Sequence, residues 1–426
     1  MRSLLQKRSL RLVFLANVVS MIGSGMNSAA VIWYILQATH SEVALGTLVV
    51  LQTIPSMLLL PFGGVVIDRE DRRRLIMLLD VVRGLLILAV AVLVFRNQVQ
   101  LWHLYLMSVL VSAGFWMFWP TISALLQELT PESEYVNANT FIMAGVQGGW
   151  LIAGAAVGFL YNHIGLGGIL LIDVLTYVAS FLCYSAVRKG RHVIEKPPEL
   201  IAELAHVDGV FARFVHEIRQ SVRYLRQNRY VVLVGTSWSL FIGAMLTQNV
   251  VTAPLSERIL HAGAYGYGWL NAGWGIGAFI SVAYTANIVQ KYGVRRSIAV
   301  SMFLLAASIY LAPFSHWLAI GVVLYAICGS ARGVGGVALN SSLMEVVPKH
   351  FMGRVQNTFG LAAVGLQLTL GLVVGAVAHR YSLTAAFAII GSLYFLAFLS
   401  SAWPFRSHEC RLKHKRVLPL NNIATR

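Results

Sequence analysis

Residues 63–74 read Gly63-Gly64-Val65-Val66-Ile67-Asp68-Arg69-Glu70-Asp71-Arg72-Arg73-Arg74. Apolar residues run up to this stretch and away from it, over 43–66 and 75–95. Each run matches the ~20 residues that carry a helix across about 30 Å of hydrocarbon at about 1.5 Å per residue. The short basic turn is thus a loop between two membrane spans. Its glycine pair allows a close backbone approach, its acid offers an acceptor at a turn, and its arginines belong at a cytoplasmic surface.

Extending the reading outward gives twelve spans, near 11–36, 43–66, 75–95, 101–126, 136–161, 166–187, 230–253, 265–288, 297–313, 317–346, 351–379 and 383–405. The expected fold is an all-α membrane protein with two pseudo-symmetric halves of six helices. The halves comprise 1–187 and 230–405, a linker occupies 188–229, and a basic tail fills 406–426. Composition agrees: 57% of the residues are hydrophobic, 12% are charged and mean hydropathy is +0.70. A soluble domain carries about twice that share of charge. The first span starts like a signal peptide, but its apolar run continues to Leu36 with no cleavage pattern, so it reads as a retained helix.

A net charge of +16 raises the question of nucleic acid. With the N-terminus in the cytoplasm, however, 28 of the 33 Lys and Arg residues fall on the cytoplasmic segments. Arg96, Arg258 and Arg380 lie in outer loops, and Arg83 and Arg332 lie within spans. The charge is therefore that of insertion topology and contact with anionic lipid headgroups, and nucleic acid is not an expected partner. Both termini are expected in the cytoplasm, in a bacterial inner membrane. In the linker, Val210, Phe211, Phe214, Val215, Ile218, Val222 and Leu225 recur at helical spacing among arginines. They predict an amphipathic helix at the membrane surface.

An internal repeat supports the division into halves. Glu128, Pro131, Gly148, Gly154 and Gly158 return at Glu345, Pro348, Gly365, Gly371 and Gly375, each 217 residues later. Related halves of this kind place a substrate site between them.

The loop pattern Gly64, Asp68, Arg69, Arg72 and Arg73 resembles the signature loop of the major facilitator superfamily. Further stretches resemble its enterobactin-exporter and macrolide-efflux branch: Ser20–Gly25, Leu79–Gly84 with Asp80 and Arg83, Leu171–Tyr177, Ser221–Arg229 and Ala264–Gly268. The resemblance implies export by alternating access, powered by an ion gradient. It also implies that Asp68 latches the cytoplasmic side by capping a helix of the other half; the start of span 11, near Phe351, is the expected partner. Asp80 and Arg83, three apart on one face, are expected to pair within this latch network. Glu128 and Glu345, at equivalent cytoplasmic helix ends, are expected to gate by pairing with the basic loops. Drug exporters of the superfamily carry a Gly-Pro pair in span 5. Here the pair is Gly154-Ala155, a departure from the antiporter signature, although Gly154 and Gly158 keep a small-residue packing face.

Ionisable groups inside the bilayer cost about 2.5–3.5 kcal/mol on insertion scales and so ask for a reason. Arg332, mid-span among small residues, reads either as a cavity guanidinium for an anionic group or as a structural partner. Asp173 reads either as a carrier of the coupling proton or as a helix-packing hydrogen bond. Asn27, Tyr34, Trp116, Gln147, Trp238, Asn271 and Gln367 are the expected polar and aromatic cavity lining, with Trp33, Trp119, Trp150, Gln248 and Trp274 as further candidates. Apolar walls with a few polar contacts suit an amphiphilic small molecule such as a drug or siderophore.

No Gly-Lys pair exists, hence no phosphate-binding loop, and no nucleophile or His/acid spacing suggests an enzyme. The three cysteines fit no metal or disulfide pattern. The expectation is a monomeric secondary transporter with no cofactor, partnered by its substrate, by protons or another coupling ion, and by lipid. A lipid or lysophospholipid carrier, a nutrient importer, and a membrane receptor or scaffold are the alternatives.

Overall fold

A computed structural model describes residues 7–69, 71–130, 135–187, 210–347 and 349–402. Six helices precede the linker: α1 (Arg8–Thr39), α2 (Glu42–Arg69), α3 (Arg72–Phe95), α4 (Leu101–Leu129), and the run Tyr135–Ser185. That run breaks at Gly165, whose φ of 63° and ψ of −171° turn the chain back without a loop, giving α5 (135–164) and α6 (166–185). After the linker come α7 (Arg229–Ile259), α8 (Gly263–Tyr292), α9 (Val294–Leu311), α10 (Leu318–Val346), α11 (Lys349–Arg380) and α12 (Leu383–Ala402). In α7, Pro254 is followed by a turn of π-helix at Leu255–Ile259. Within the described residues the predicted spans are reproduced to within a few residues, most helices running about a turn further at one end or both; α7 runs six residues past its expected end, and residues 403–405 of the last span lie outside the described residues.

Hydrocarbon supplies no hydrogen-bond partners, so the backbone has to satisfy itself, and helices are the local solution. The surface follows the same physics. Leu58, Leu85, Phe159 and Leu182 are exposed on the helix flanks, where lipid covers them. Trp102, Trp317 and Tyr381 are exposed at the ends of α4, α10 and α11, where amphipathic rings suit the interface. Asp71 caps α3 by accepting from the backbone N–H of Arg74 at 3.1 Å.

Within the first half α1 packs along the α5–α6 run, and α2 and α3 pack on α4; within the second, α8 and α9 pack on α10, and α7 packs on α11 and α12. The halves join along two crossings, α5 with α8 and α2 with α11. Both are built on glycine. A Cβ on Gly268 would lie 2.4 Å from the Cα of Gly158, and one on Gly275 would lie 2.8 Å from the Cα of Leu151. A Cβ on Gly375 would lie 2.6 Å from the carbonyl oxygen of Glu42, and Gly46 lies equally tight on Gly371. The repeated glycines Gly154/Gly158 and Gly371/Gly375 therefore do the same work in the two halves.

The linker helix, Val210–Gln227, packs on α11 and α2, one helix from each half. Ser221 and Leu225 are buried, whereas Arg219 and Arg223 stay exposed.

Candidate functional site

Two cavities of about 430 and 240 Å³ lie where the halves meet. They share Ser28, Phe115, Trp150, Leu246 and Asn249 as walls, so they form two lobes of one central space. Of the residues expected to line it, Asn27, Trp116 and Gln367 face the smaller lobe, and Gln147, Asn271 and Arg332 the larger. Trp119, Trp150, Gln248 and Trp274 line it as well. Tyr34 and Trp238 do not: both pack against the apolar core, turned away from the two lobes by the rotation of α1 and α7. Trp33 is likewise buried, stacked on Tyr267 of α8 with ring centres 5.8 Å apart.

The smaller lobe is walled by the first half's buried charges at one remove. Asp173 of α6 is fully buried; Asn27 Nδ2 donates to its Oδ2 at 2.7 Å, and Thr176 Oγ1 donates to its Oδ1 at 3.2 Å. A Cβ on Gly23 would lie 2.4 Å from that carboxylate, so glycine there is what lets α1 reach it. Asn27 also faces the cavity, which leaves one side chain between Asp173 and the lumen. Asp80 and Arg83 pair at 2.6 Å, and Ser180 Oγ donates to the other oxygen of Asp80 at 2.7 Å. The guanidinium of Arg83 lies over the rings of Tyr177 and Phe118, at 4.6 and 5.4 Å. Tyr177 in turn lines the cavity and bonds Ser24 at 3.0 Å. The expected pair thus forms on α3. Two to three helical turns separate it from Arg72, and its described contacts run to α4 and α6, which makes it an internal strut of the first half.

Arg332, at the midpoint of the 29-residue α10, is held differently. Its Nε donates to the sulfur of Met245 at 2.7 Å, and its guanidinium lies 4.8 Å from the centre of the Trp274 ring. Among the described residues it has no carboxylate partner.

At the basic loop, Arg72 pairs with Glu128, and Arg73 Nη1 donates to the carbonyl of Val187 at 2.6 Å. Both contacts stay within the first half, tying the start of α3 to the ends of α4 and α6, where carbonyls favour a cation. The Glu128 contact is therefore not a gate between halves in this conformation. The side chains of Asp68, Arg69, Glu345 and Phe351, and the residue Gly64 beyond its place in α2, lie outside the described residues, and the expected latch with them.

On the opposite face stands a contact that the sequence reading missed. Glu42, fully buried at the start of α2, meets Arg258 Nη1 of α7 at 2.7 Å and His379 Nδ1 of α11 at 3.2 Å. Arg258 also donates to the carbonyl of His40 at 3.2 Å. These residues stand up to 337 positions apart, and the available signal was only that Arg258 and Glu42 are charges at outer span ends. Also missed were the small polar groups of the lining, among them Ser24, Ser28, Gln52, Thr53, Asn249 and Thr252.

Among the described residues, twelve long helices, most of them apolar enough to cross a membrane, two glycine crossings and a central cavity of mixed polarity define a membrane carrier. The family model of the Major Facilitator Superfamily matches residues 13–256 and 231–416, and the chain belongs to that family. Macrolide efflux protein A of Streptococcus pyogenes is 23% identical over 397 residues, covering 89% of this chain and 92% of that protein. The multidrug efflux pump Tap of Mycolicibacterium fortuitum is 24% identical, covering 89% and 91%. The putative bacilysin exporter BacE of Bacillus subtilis is 25% identical, covering 78% and 79%. Among solved structures, a POT family transporter in complex with a thioalcohol-conjugated peptide superposes with a TM-score of 0.71 at 13% identity, covering 96% of this chain and 97% of that one. The nucleoside transporter NupG superposes with a TM-score of 0.68 at 13% identity, covering 92% and 98%. Those likenesses are of fold. The chain is a multi-pass membrane transporter with efflux proteins among its relatives.

Proposed function

We propose that this transporter exports an amphiphilic small molecule from the cytoplasm by alternating access, in exchange for protons. The observation that carries the reading is the position of the cavity. It lies between the halves, and the tight contacts of Gly158 with Gly268 and of Gly375 with Glu42 draw the halves together at the helix ends opposite Arg8 and Ala402, which we read as the closed side. With the termini in the cytoplasm, as the Lys and Arg distribution supports, that face is extracytoplasmic. The conformation is then one that loads from inside. The efflux activities named for its relatives support the direction, and the inner membrane of a bacterium is the location that agrees with them. The protein acts as a monomer, each chain holding a complete cavity.

Asp173 is the group assigned to the proton. It is buried, lies one side chain from the lumen, and its carboxylate accepts from Asn27 on α1 and Thr176 on α6, so a change in the wetting of the lumen at Asn27 reaches it. Opening of the halves moves Asp173 between a dry and a wetted environment, and its proton follows. Arg72, Arg73 and Glu128, with Asp68, Arg69, Gly64 and Glu345, form the cytoplasmic gating region that closes when the outer crossings part.

The test is accumulation of candidate amphiphiles in cells with and without the protein, each with and without a protonophore. Expression should lower accumulation, and the protonophore should restore it. Asp173→Asn should fold normally and abolish protonophore-sensitive efflux while leaving exchange of substrate for substrate. Gradient-independent efflux, or full activity in Asp173→Asn, removes the proton from the mechanism.

A further inference from the structure

We propose that the substrate is an anionic amphiphile, a flat apolar body bearing a carboxylate or phosphate-type group, and that Arg332 is the residue that binds its charge. The inference rests on the reading of the central cavity as the substrate site and adds the chemical class of what enters it.

The first observation is a charge without a use. A guanidinium at mid-bilayer costs about 2.5–3.5 kcal/mol on insertion scales. It has five N–H donors in a planar fork, and here one of them meets a thioether, a weak acceptor. Arg83, in the same bilayer, shows what a structural arginine looks like in this protein: an acid at 2.6 Å, a backbone carbonyl at 3.1 Å and two aromatic faces. Nothing comparable neutralises Arg332 among the described residues.

The second observation is the sign of the lumen. Among the described residues lining both lobes there is no Asp, Glu, Lys or His; Arg332 is the one formal charge. The acids of the first half stand behind Asn27 and Tyr177: Asp80 is paired with Arg83, and Asp173, shielded by Asn27 and Thr176, holds in this conformation the proton assigned to it above. A cation in this lumen meets a like charge with no carboxylate to receive it, and in a low-dielectric site that repulsion discriminates strongly.

The third observation is geometry. Trp274 lies against one face of the guanidinium and Met245 holds its Nε, so the fork is oriented before any ligand arrives. Its remaining N–H groups suit the two oxygens of an oxyacid, which arginine meets in a bidentate, charge-assisted manner. Around it Gln248, Asn271 and Tyr325 supply neutral polar contacts, while Trp150, Trp119 and Phe115 offer apolar faces for a flat body. A space of about 430 Å³ opening onto a second of about 240 Å³ accommodates a drug-sized molecule.

The test compares two xanthene dyes of similar volume and opposite charge, carboxyfluorescein and tetramethylrhodamine methyl ester, by fluorescence anisotropy with the purified full-length protein in detergent. Wild type should bind the anion at least tenfold more tightly than the cation. Arg332→Gln should lose at least tenfold in affinity for the anion, with the cation unchanged or tightened, and Arg332→Lys should fall between; each variant is judged on monodisperse protein. The proposal is overturned if wild type prefers the cation or binds neither dye, or if Arg332→Gln binds the anion as wild type does. The last result is also what an arginine acting only on the proton step would give. A cavity-filling Asn249→Trp separates this inference from the reading beneath it. If both dyes still bind to Asn249→Trp, the cavity is not the site and both readings fall. If both are lost there while Arg332→Gln keeps the anion, the cavity stands and the anionic class alone is wrong.

Discussion

Arg83 in the first half and Arg332 in the second are each carried at depth on a membrane helix, and the two halves treat them in opposite ways. Arg83 is buried with its acid, Asp80, within 2.6 Å and Ser180 completing that carboxylate; it stiffens a bundle. Arg332 is offered a sulfur and a ring and faces a cavity. The Asp80–Arg83 strut ties α3, α4 and α6 together within one half. A half that keeps one charge unsatisfied has something to present to a ligand. The fold is pseudo-symmetric, but its electrostatics are not.

Breaking the strut should have the largest effect. Asp80→Ala leaves a buried guanidinium without its partner, and a loss of about 3–5 kcal/mol is expected. Thermal melting followed by fluorescence-detected gel filtration should show little folded protein, and the double variant Asp80→Ala/Arg83→Met should recover most of it. If Asp80→Ala melts like wild type, Arg83 is not structural. Next is the seam where the unlike halves meet. Gly158→Leu drives a side chain into Gly268, an overpacking cost of about 1–3 kcal/mol that is relieved when the outer face opens. In a cysteine-free background carrying Ser28→Cys, labelling by a membrane-impermeant thiol reagent from outside should rise severalfold. Unchanged labelling would show that the seam is not the barrier.

A smaller effect, of opposite sign to the first, is expected at the second arginine. Arg332→Met should melt no lower than wild type and up to about 1 kcal/mol higher, because it removes a charge that the membrane penalises. A loss comparable to that of Asp80→Ala would make the two arginines alike and dissolve the contrast. The smallest effect belongs to the outer tie. Arg258 is 42% exposed, so solvent screens its pairing with Glu42 and about 1 kcal/mol is an upper bound. Arg258→Gln should raise outside labelling of Ser28→Cys by less than Gly158→Leu does, and the tie in wild type should weaken with added salt.

The fold was legible because lipid imposes simple rules: about 20 apolar residues per span, cations on one side, and glycine wherever two helix backbones touch. The displacement of 217 residues between Gly154/Gly158 and Gly371/Gly375 marked the two halves, and Gly154/Gly158 read as a packing face; that Gly371/Gly375 make the second crossing is visible only in the structure. The site was less legible, because the direction in which a helix points is set by packing against neighbours far away in sequence. Tyr34 and Trp238 were as good candidates as Asn27 and Trp116, and a modest rotation of α1 and α7 turned them into the core. Ser28 and Asn249, by contrast, carry no mark in sequence and line both lobes. The pairing of Asp80 with Arg83 was legible from their spacing of three, but their partners on α4 and α6, Phe118, Tyr177 and Ser180, carry no sequence signal of that contact. Glu42, Arg258 and His379 carried no signal because the start of α2 and the ends of α7 and α11 meet only in the folded bundle.

Gly165 carries a consequence for how the protein is made. Joined through one residue, α5 and α6 have no slack for one to cross the bilayer while the other waits, so they have to be delivered as a hairpin. The carboxylate of Asp173 therefore enters the membrane alongside a partner helix without Asp, Glu, Lys or Arg, and α1, which precedes both in the chain, presents Asn27 to it. A residue with a Cβ at 165 is disfavoured at this φ, and the defect it produces should be seen during biogenesis, as failed insertion of α6, before it is seen in transport.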